Sequence, residues 1–239
     1  MVNYICLLSV RPCIKTCNFF KTLESENYKL LIVVDDNYYH PPTDIQVVKI
    51  NNEECEMNGY KDTVMAFRNK AVSRDKALYY FKKENLEYEY VWFVEEDVFI
   101  PDILTIKHID EKYKGGDLLC QGNAIRIDSI HTGWNWEHIL SQVKIGYPYA
   151  ASMICAIRCS KRLMETIDDY AKTYNTLFMD ESLFNTLALQ NNLETIVIDE
   201  LTSIIWQKDW DISEIKRENL YHPIKSIEQQ YAFREMIKN

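Results

Sequence analysis

The stretch with the most chemistry in it is YVWFVEEDVFIP, residues 90–101, where an apolar run from Val91 to Val94 meets three consecutive carboxylates, Glu95, Glu96 and Asp97. Val98 and Phe99 follow at once. A solvated charge run sits in polar sequence, whereas these acids are gripped between β-branched and aromatic residues that read as a buried strand and its continuation. Carboxylates drawn out of water need a counter-charge: either a divalent cation supplies it, or Lys76 or Arg74 does. Two more polar clusters follow apolar runs, Arg11-Pro12 after residues 4–10 and Asp35-Asp36-Asn37 after residues 29–34. Singly, Arg11 reads as a surface charge and Asp35-Asp36 as a turn closed by side-chain hydrogen bonds. Together they mark three strand ends, and an open α/β sheet binds its ligands outside the carboxyl ends of its strands.

The elements that must carry these residues can be read from apolar runs against breakers. Strands are expected near residues 4–10, 29–34, 45–50, 90–94, 117–121, 150–157 and 195–198. Helical periodicity covers residues 62–83, 161–174 and 181–190. This alternation predicts an α/β/α sandwich around a mainly parallel sheet. A chain of 239 residues that is 47% hydrophobic is enough for one sizeable core, so a single domain is expected. Residues 123–149, with Gly133, Trp134, Trp136 and Pro148, form the longest stretch without periodicity, and a loop of that length in a compact domain is usually functional.

Composition narrows the function. A formal charge of −9 and no basic cluster beyond pairs such as Lys82-Lys83 argue against nucleic-acid binding. Seven cysteines, an odd number scattered through strand-like runs, fit a reducing compartment, and without Cys-x-x-Cys or His-x-x-x-His spacing they do not read as a zinc module. The first residues, MVNYICLLSVRP, lack a basic n-region and read as a core strand rather than a signal peptide. No segment approaches the ~20 apolar residues of a membrane span. A soluble cytoplasmic protein is the expectation.

In the order and character of these segments the chain resembles the nucleotide-sugar-dependent glycosyltransferases of the GT-A fold, of the family 2 type. KLLIVVDDN is similar to their second strand, and FVEEDVFIP to the strand carrying their Asp-x-Asp motif, with glutamate in the first acidic position here. The resemblance implies that Asp35, with Asp36 beside it, meets the nucleotide base. It also implies that Asp97 and Glu95 bind Mn²⁺ or Mg²⁺ under the diphosphate, with Glu96 beside them. Residues 1–122 would form the nucleotide-sugar half and residues 123–239 the acceptor half with a C-terminal lid. His222-Pro223 in LYHPIKS looks like the late histidine that closes over the donor as a metal ligand, with Lys225 reaching the diphosphate; otherwise His222 is a packing residue. Arg74, Asp75 and Lys76 open a helix, and the family places a comparable acidic or basic residue there for diphosphate or donor sugar; a plain first helical turn is the other reading. Arg11 is a further candidate for the donor site.

The implied reaction moves a sugar from a nucleotide diphosphate-sugar, a UDP-sugar above all, to a hydroxyl acceptor such as a glycan. With inversion it needs a base. Asp180, then Glu181, looks like the family's acidic residue at a helix start, although a helix N-terminus selects acids on its own account. Trp134 and Trp136 in HTGWNWEH either stack on an acceptor sugar or anchor the loop to the core. Two rivals stand beside this reading: a nucleotidyltransferase that makes nucleotide-sugars, although SVRPCIKTC lacks the glycine-rich phosphate loop, and a non-catalytic carbohydrate-binding protein. The compact size also resembles transferases of large DNA viruses and bacteria.

Overall fold

The structure, a computed structural model, describes residues 2–64, 71–127 and 136–238, and the side chains of all of these but 136–138. In chain order the strands are β1 (Asn3–Ser9), β2 (Tyr28–Val34), β3 (Gln46–Val48), β4 (Tyr90–Glu95), β5 (Leu118–Cys120), β6 (Ala124–Arg126), β7 (Tyr149–Ala151), β8 (Ala156–Ser160) and β9 (Thr195–Val197). The helices are α1 (Ile14–Lys21), α2 (Asn52–Met57), α3 (Ser73–Lys83), α4 (Thr105–Lys112), α5 (Trp136–Gln142), α6 (Lys161–Tyr174), α7 (Asp180–Gln190) and α8 (Ile227–Lys238).

Seven strands form one sheet in the order β3-β2-β1-β4-β8-β5-β9, and β6 and β7 form a separate ribbon. Every pairing in the large sheet is parallel except those of β8, which runs against both β4 and β5. The carboxyl ends of β1, β2 and β4 therefore open at one edge. The expected mainly parallel α/β/α sheet is what forms.

The central strands are continuously apolar because both faces are covered. Val91, Trp92, Phe93 and Val94 are all but inaccessible, and burying each such side chain is worth about 1.5–3 kcal/mol. Alternation sends Phe93 and Val91 to the core under α3, α6 and α7, and Trp92 and Val94 to the core under α1 and α4. A third, small core joins Phe99 to Tyr221, Ile224 and Phe233 of the C-terminal segment.

Two expected elements differ. The helix read over residues 62–83 begins at Ser73, and Asp62 has φ +72, a left-handed conformation that no helix continues through. The apolar run 150–157, read as one strand, is two: β7 belongs to the small ribbon and β8 to the large sheet. Between them Ser152 donates to the buried Asn185 Oδ1 at 2.9 Å, so a polar anchor turns the chain where hydrophobicity alone shows no break. Among the described residues no helix is long and apolar enough to cross a membrane.

Candidate active site

The three acids after β4 go to three different partners, because successive side chains at a strand end leave on opposite faces. Glu96 turns toward α1: Ser9 Oγ donates to its Oε2, and Thr16 Oγ1 donates to its Oε1 at 3.2 Å. Glu95 turns toward α3, where Arg74 Nη2 donates to its Oε1 at 2.8 Å. Asp97 turns toward the C-terminal segment, with its Oδ1 3.5 Å from His222 Nε2. The pairing with Arg74 expected as the alternative to a metal is therefore present at Glu95, and only there among the three.

At the end of β2, Asp35 accepts from the backbone N–H of Ser73, the first residue of α3. That contact ties the β2 loop to the helix start and leaves Asp35 on the cavity wall. Asp36 points the other way, held by the backbone N–H of Tyr38 at 2.9 Å and by the exposed Arg11 at 2.6 Å. Neither Arg11 nor Asp36 lines the cavity. Asp75 and Lys76 are buried and do not line the cavity. Asp75 reaches back from the third helical position to the N–H of Val72 at 2.9 Å and accepts from Thr63 Oγ1 at 2.7 Å, half of a capping box. Lys76 Nζ donates to the Asp35 carbonyl at 2.8 Å and to Asn37 Oδ1 at 2.9 Å, fixing the loop that carries Asp35. Helical phase explains the split: of the three, only Arg74 lines the cavity, while Lys76 reaches the end of β2 from behind.

Arg74 is 2% exposed. Besides Glu95 it contacts Asp180 Oδ2 through Nε at 3.2 Å and the carbonyl of Ile154 at 3.2 Å, while its Nη1 has no hydrogen-bond partner. Asp180 opens α7 and its carboxylate lines the same cavity. Burial pushes Asp180 up to about 7; Arg74 pulls it down, and Glu95 and Asp75 push it further up. Burial likewise lifts Glu181 to about 8, with Asp180 and Glu95 adding and Arg74 and His222 opposing. One guanidinium thus faces a surplus of carboxylates, and two of them are poised near neutrality.

His222 reaches the site on backbone pairing, not on a loose tail. Phe99 and Tyr221 exchange both backbone hydrogen bonds, and the Ile224 N–H donates to the Asp97 carbonyl at 2.8 Å. The imidazole is 7% exposed. Its Nδ1 lies 2.7 Å from the Ile205 carbonyl, which can only accept, so Nδ1 carries the proton and Nε2 faces Asp97. Burial works against the imidazolium, but hydrogen bonds and charge from Asp97, with the Ile205 carbonyl, hold its pKa above the ordinary value. The segment expected as a lid is here a packed wall. Gln230 Nε2 donates to the Glu96 carbonyl at 3.2 Å, and Arg234 is buried between Phe19 and Phe99. Lys225, exposed on that wall, lines the cavity.

The cavity measures about 500 Å³, with Ser9, Asp35, Ser73, Arg74, Asp180 and Lys225 around the acids of β4. That is the size of a small-molecule site. Sequence reasoning missed Ser9, Thr16 and Gln230, which hold the Glu96 side chain or backbone, and gave Cys155 no role beside Glu95 and His222. A hydroxyl at a strand end or a glutamine in an amphipathic helix carries no signal of its own. Trp134 lies outside the described residues; Trp136 begins α5, but its side chain lies outside them too.

For a divalent cation the strand edge offers carboxylate oxygens at Glu95 and at Asp97 and, 3.5 Å from Asp97, an oriented imidazole nitrogen at His222; of these, Glu95 and His222 place ligand atoms within 4.8 Å of each other. The fixed proton on Nδ1 is the arrangement that readies a histidine for this.

No protein-family model matches the sequence, and no curated protein matches it. Solved structures do match by shape. An active-site mutant of LgtC aligns at 8% identity and TM-score 0.51, over 98% of this chain and 96% of that one. A nucleoside-diphosphate-sugar pyrophosphorylase from Vibrio cholerae aligns at 12% identity and TM-score 0.36, over 81% and 90%, too loosely to carry weight. The first likeness, together with the strand order and the flanking helices, establishes a Rossmann-like α/β fold of the GT-A kind.

Proposed function

We propose that the chain is a metal-dependent glycosyltransferase that moves a sugar from a nucleotide diphosphate-sugar, a UDP-sugar, to a hydroxyl acceptor with inversion. The observation that carries this is the convergence of Asp35, Arg74, Asp97 and Asp180 at one strand edge around a cavity of about 500 Å³, with His222 standing behind Asp97 at 3.5 Å. Asp35 accepts from the base. Arg74, on the cavity wall, and Lys225, on its rim, supply positive charge to the diphosphate. Glu95, Asp97 and His222 would hold the divalent cation, Mn²⁺ or Mg²⁺ on the family's pattern, and it would supply positive charge to the leaving diphosphate. Asp180, lifted to about 7 by burial, takes the acceptor hydroxyl's proton as that oxygen attacks the anomeric carbon. Its pairing with Arg74 keeps it ionised often enough near neutral pH to act.

The fold alone is equally compatible with a nucleotidyltransferase. The loop from Val10 to Cys13 favours transfer of sugar over nucleotidyl, because it leads into α1 without a glycine-rich cradle for a triphosphate. Calorimetry with UDP, with and without Mn²⁺, tests the reading: binding is expected only with the metal, and Asp97→Asn removes that Mn²⁺-dependent binding while the fold survives. UDP affinity that ignores Mn²⁺, or is untouched by Asp97→Asn, refutes it.

A further inference from the structure

A thiol stands beside the carboxylates. Cys155, on the approach to β8, is 8% exposed. Its backbone carbonyl accepts from the Glu95 N–H at 2.9 Å, so the pairing of β4 with β8 fixes where its side chain stands. The Sγ of Cys155, a carboxylate oxygen of Glu95 and a ring nitrogen of His222 all lie within 4.8 Å of one another. We infer that Cys155 is a ligand of the ion held by Glu95 and His222, so that this centre selects a thiolate-accepting divalent ion of the zinc and cobalt class over magnesium.

The geometry is close to closed. Zinc bonds to sulfur at about 2.3 Å and to nitrogen at about 2.0–2.1 Å, so in a tetrahedral shell neighbouring donors stand ~3.4–3.7 Å apart. A contraction of about 1 Å from the 4.8 Å limit, within reach of side-chain rotation, gathers these three. Among the described residues this is the one grouping of histidine, cysteine and carboxylate donors with that spacing, and it joins a soft donor, an imidazole and a carboxylate. Magnesium takes hard oxygens and gains nothing from sulfur, whereas zinc and cobalt gain both from the thiolate and from the imidazole.

Without an ion, burial and the negative charge of Glu95 push the Cys155 thiol far up, so it stays protonated against its neighbours. Binding breaks the S–H bond, sends that proton to solvent and forms the sulfur–metal bond, with no change of oxidation state. The ion then offsets a charge cluster that Arg74 alone does not balance.

The inference rests on reading Glu95 and His222 as metal ligands, and its test needs no nucleotide and no turnover. Metal-stripped protein titrated with Co²⁺ should develop sulfur-to-cobalt charge-transfer absorption saturating at one ion per chain. Cys155→Ser should lose that absorption and bind Zn²⁺ at least ~10-fold more weakly, with Mg²⁺ affinity unchanged; Cys13→Ser should behave as wild type. X-ray absorption of the zinc-loaded wild-type protein should show one sulfur neighbour at about 2.3 Å, and it stands whether or not the serine variant folds. An all-oxygen-and-nitrogen shell, or charge-transfer absorption that survives Cys155→Ser, overturns the inference. A cobalt–sulfur band in protein that ignores UDP keeps the metal centre and discards the transferase reading.

Discussion

Arg74 and Arg158 are both buried arginines facing carboxylates, yet their surroundings differ in charge. Arg158 sits opposite Trp92 in the β4–β8 register and is 1% exposed. It donates to Asp110 at 2.8 Å and to the carbonyl of Tyr113 at 2.7 Å, also to that of Gly115, and lies 4.1 Å from the centre of the Tyr90 ring. Asp110 in turn accepts from Tyr28 and from the Trp92 indole. One cation meets one carboxylate, and neutral donors fill the remaining lone pairs. Around Arg74 there are Glu95 and Asp180 in contact and Glu181 behind them, with burial and mutual repulsion lifting the last two. A balanced buried pair holds a fold together; an unbalanced one is a place for a ligand cation.

The sharpest way to break the contrast is on the unbalanced side. Asp180→Asn keeps a side-chain oxygen for the start of α7 but removes the base, so turnover at saturating donor should fall by ~10²–10⁴-fold with nucleotide affinity preserved. Normal turnover in a folded Asp180→Asn protein would transfer the role to Glu181. On the balanced side the effect should appear in stability instead. Arg158→Met strands Asp110 in the core and should remove about 3–5 kcal/mol from urea unfolding, with the Kd for UDP and Mn²⁺ unmoved; a loss of nucleotide affinity would show that the two clusters are not independent.

A smaller effect separates them by pH. Asp180 and Glu181 are raised in the folded state, to about 7 and about 8, so the folded protein binds more protons than the unfolded chain between about pH 4 and pH 8. The stability they contribute is full below the ordinary carboxylate range and is lost as pH rises through those values. Melting temperature of the metal-free protein should therefore decline across that window, and Asp180→Asn should flatten the decline. An identical slope in that variant would mean that Asp180 is not raised. The smallest effect belongs to Arg11, which is exposed and pairs with Asp36 away from the cavity. Arg11→Ala should leave the urea midpoint and UDP affinity unchanged, and a weakened nucleotide would bring Arg11 back into the site.

Much of this contrast could be read in the sequence on one side only. Glu95, Glu96 and Asp97 stood out because charge interrupts an apolar run, and β4 was legible for the same reason. Asp180 was legible as an acid at a helix start, but its partnership with Arg74 spans more than a hundred residues of chain and leaves no local mark. The roles of Asp75 and Lys76 were hidden for another reason: Arg74, Asp75 and Lys76 are adjacent in sequence, and helical phase, which composition does not show, sends one to the site and two to the framework. Strand direction was hidden as well. An apolar strand covered on both faces looks alike in either orientation, so the antiparallel β8 could not be told from its parallel neighbours. Nor could α1 and α8 be foreseen. Pro12 stands just ahead of the short α1, and in α8 the buried face includes Gln230 and Arg234 beside Phe233.

The pairing of residues 221–224 with the turn after β4 also bears on how the protein is made. When the first 200 residues have been synthesised, every acid of the centre has been made, but His222 has not. Nor have Gln230 and Arg234, which brace the wall against Glu96, Phe19 and Phe99. A nascent chain therefore carries the acid cluster without its imidazole until synthesis has passed the last turn of the site.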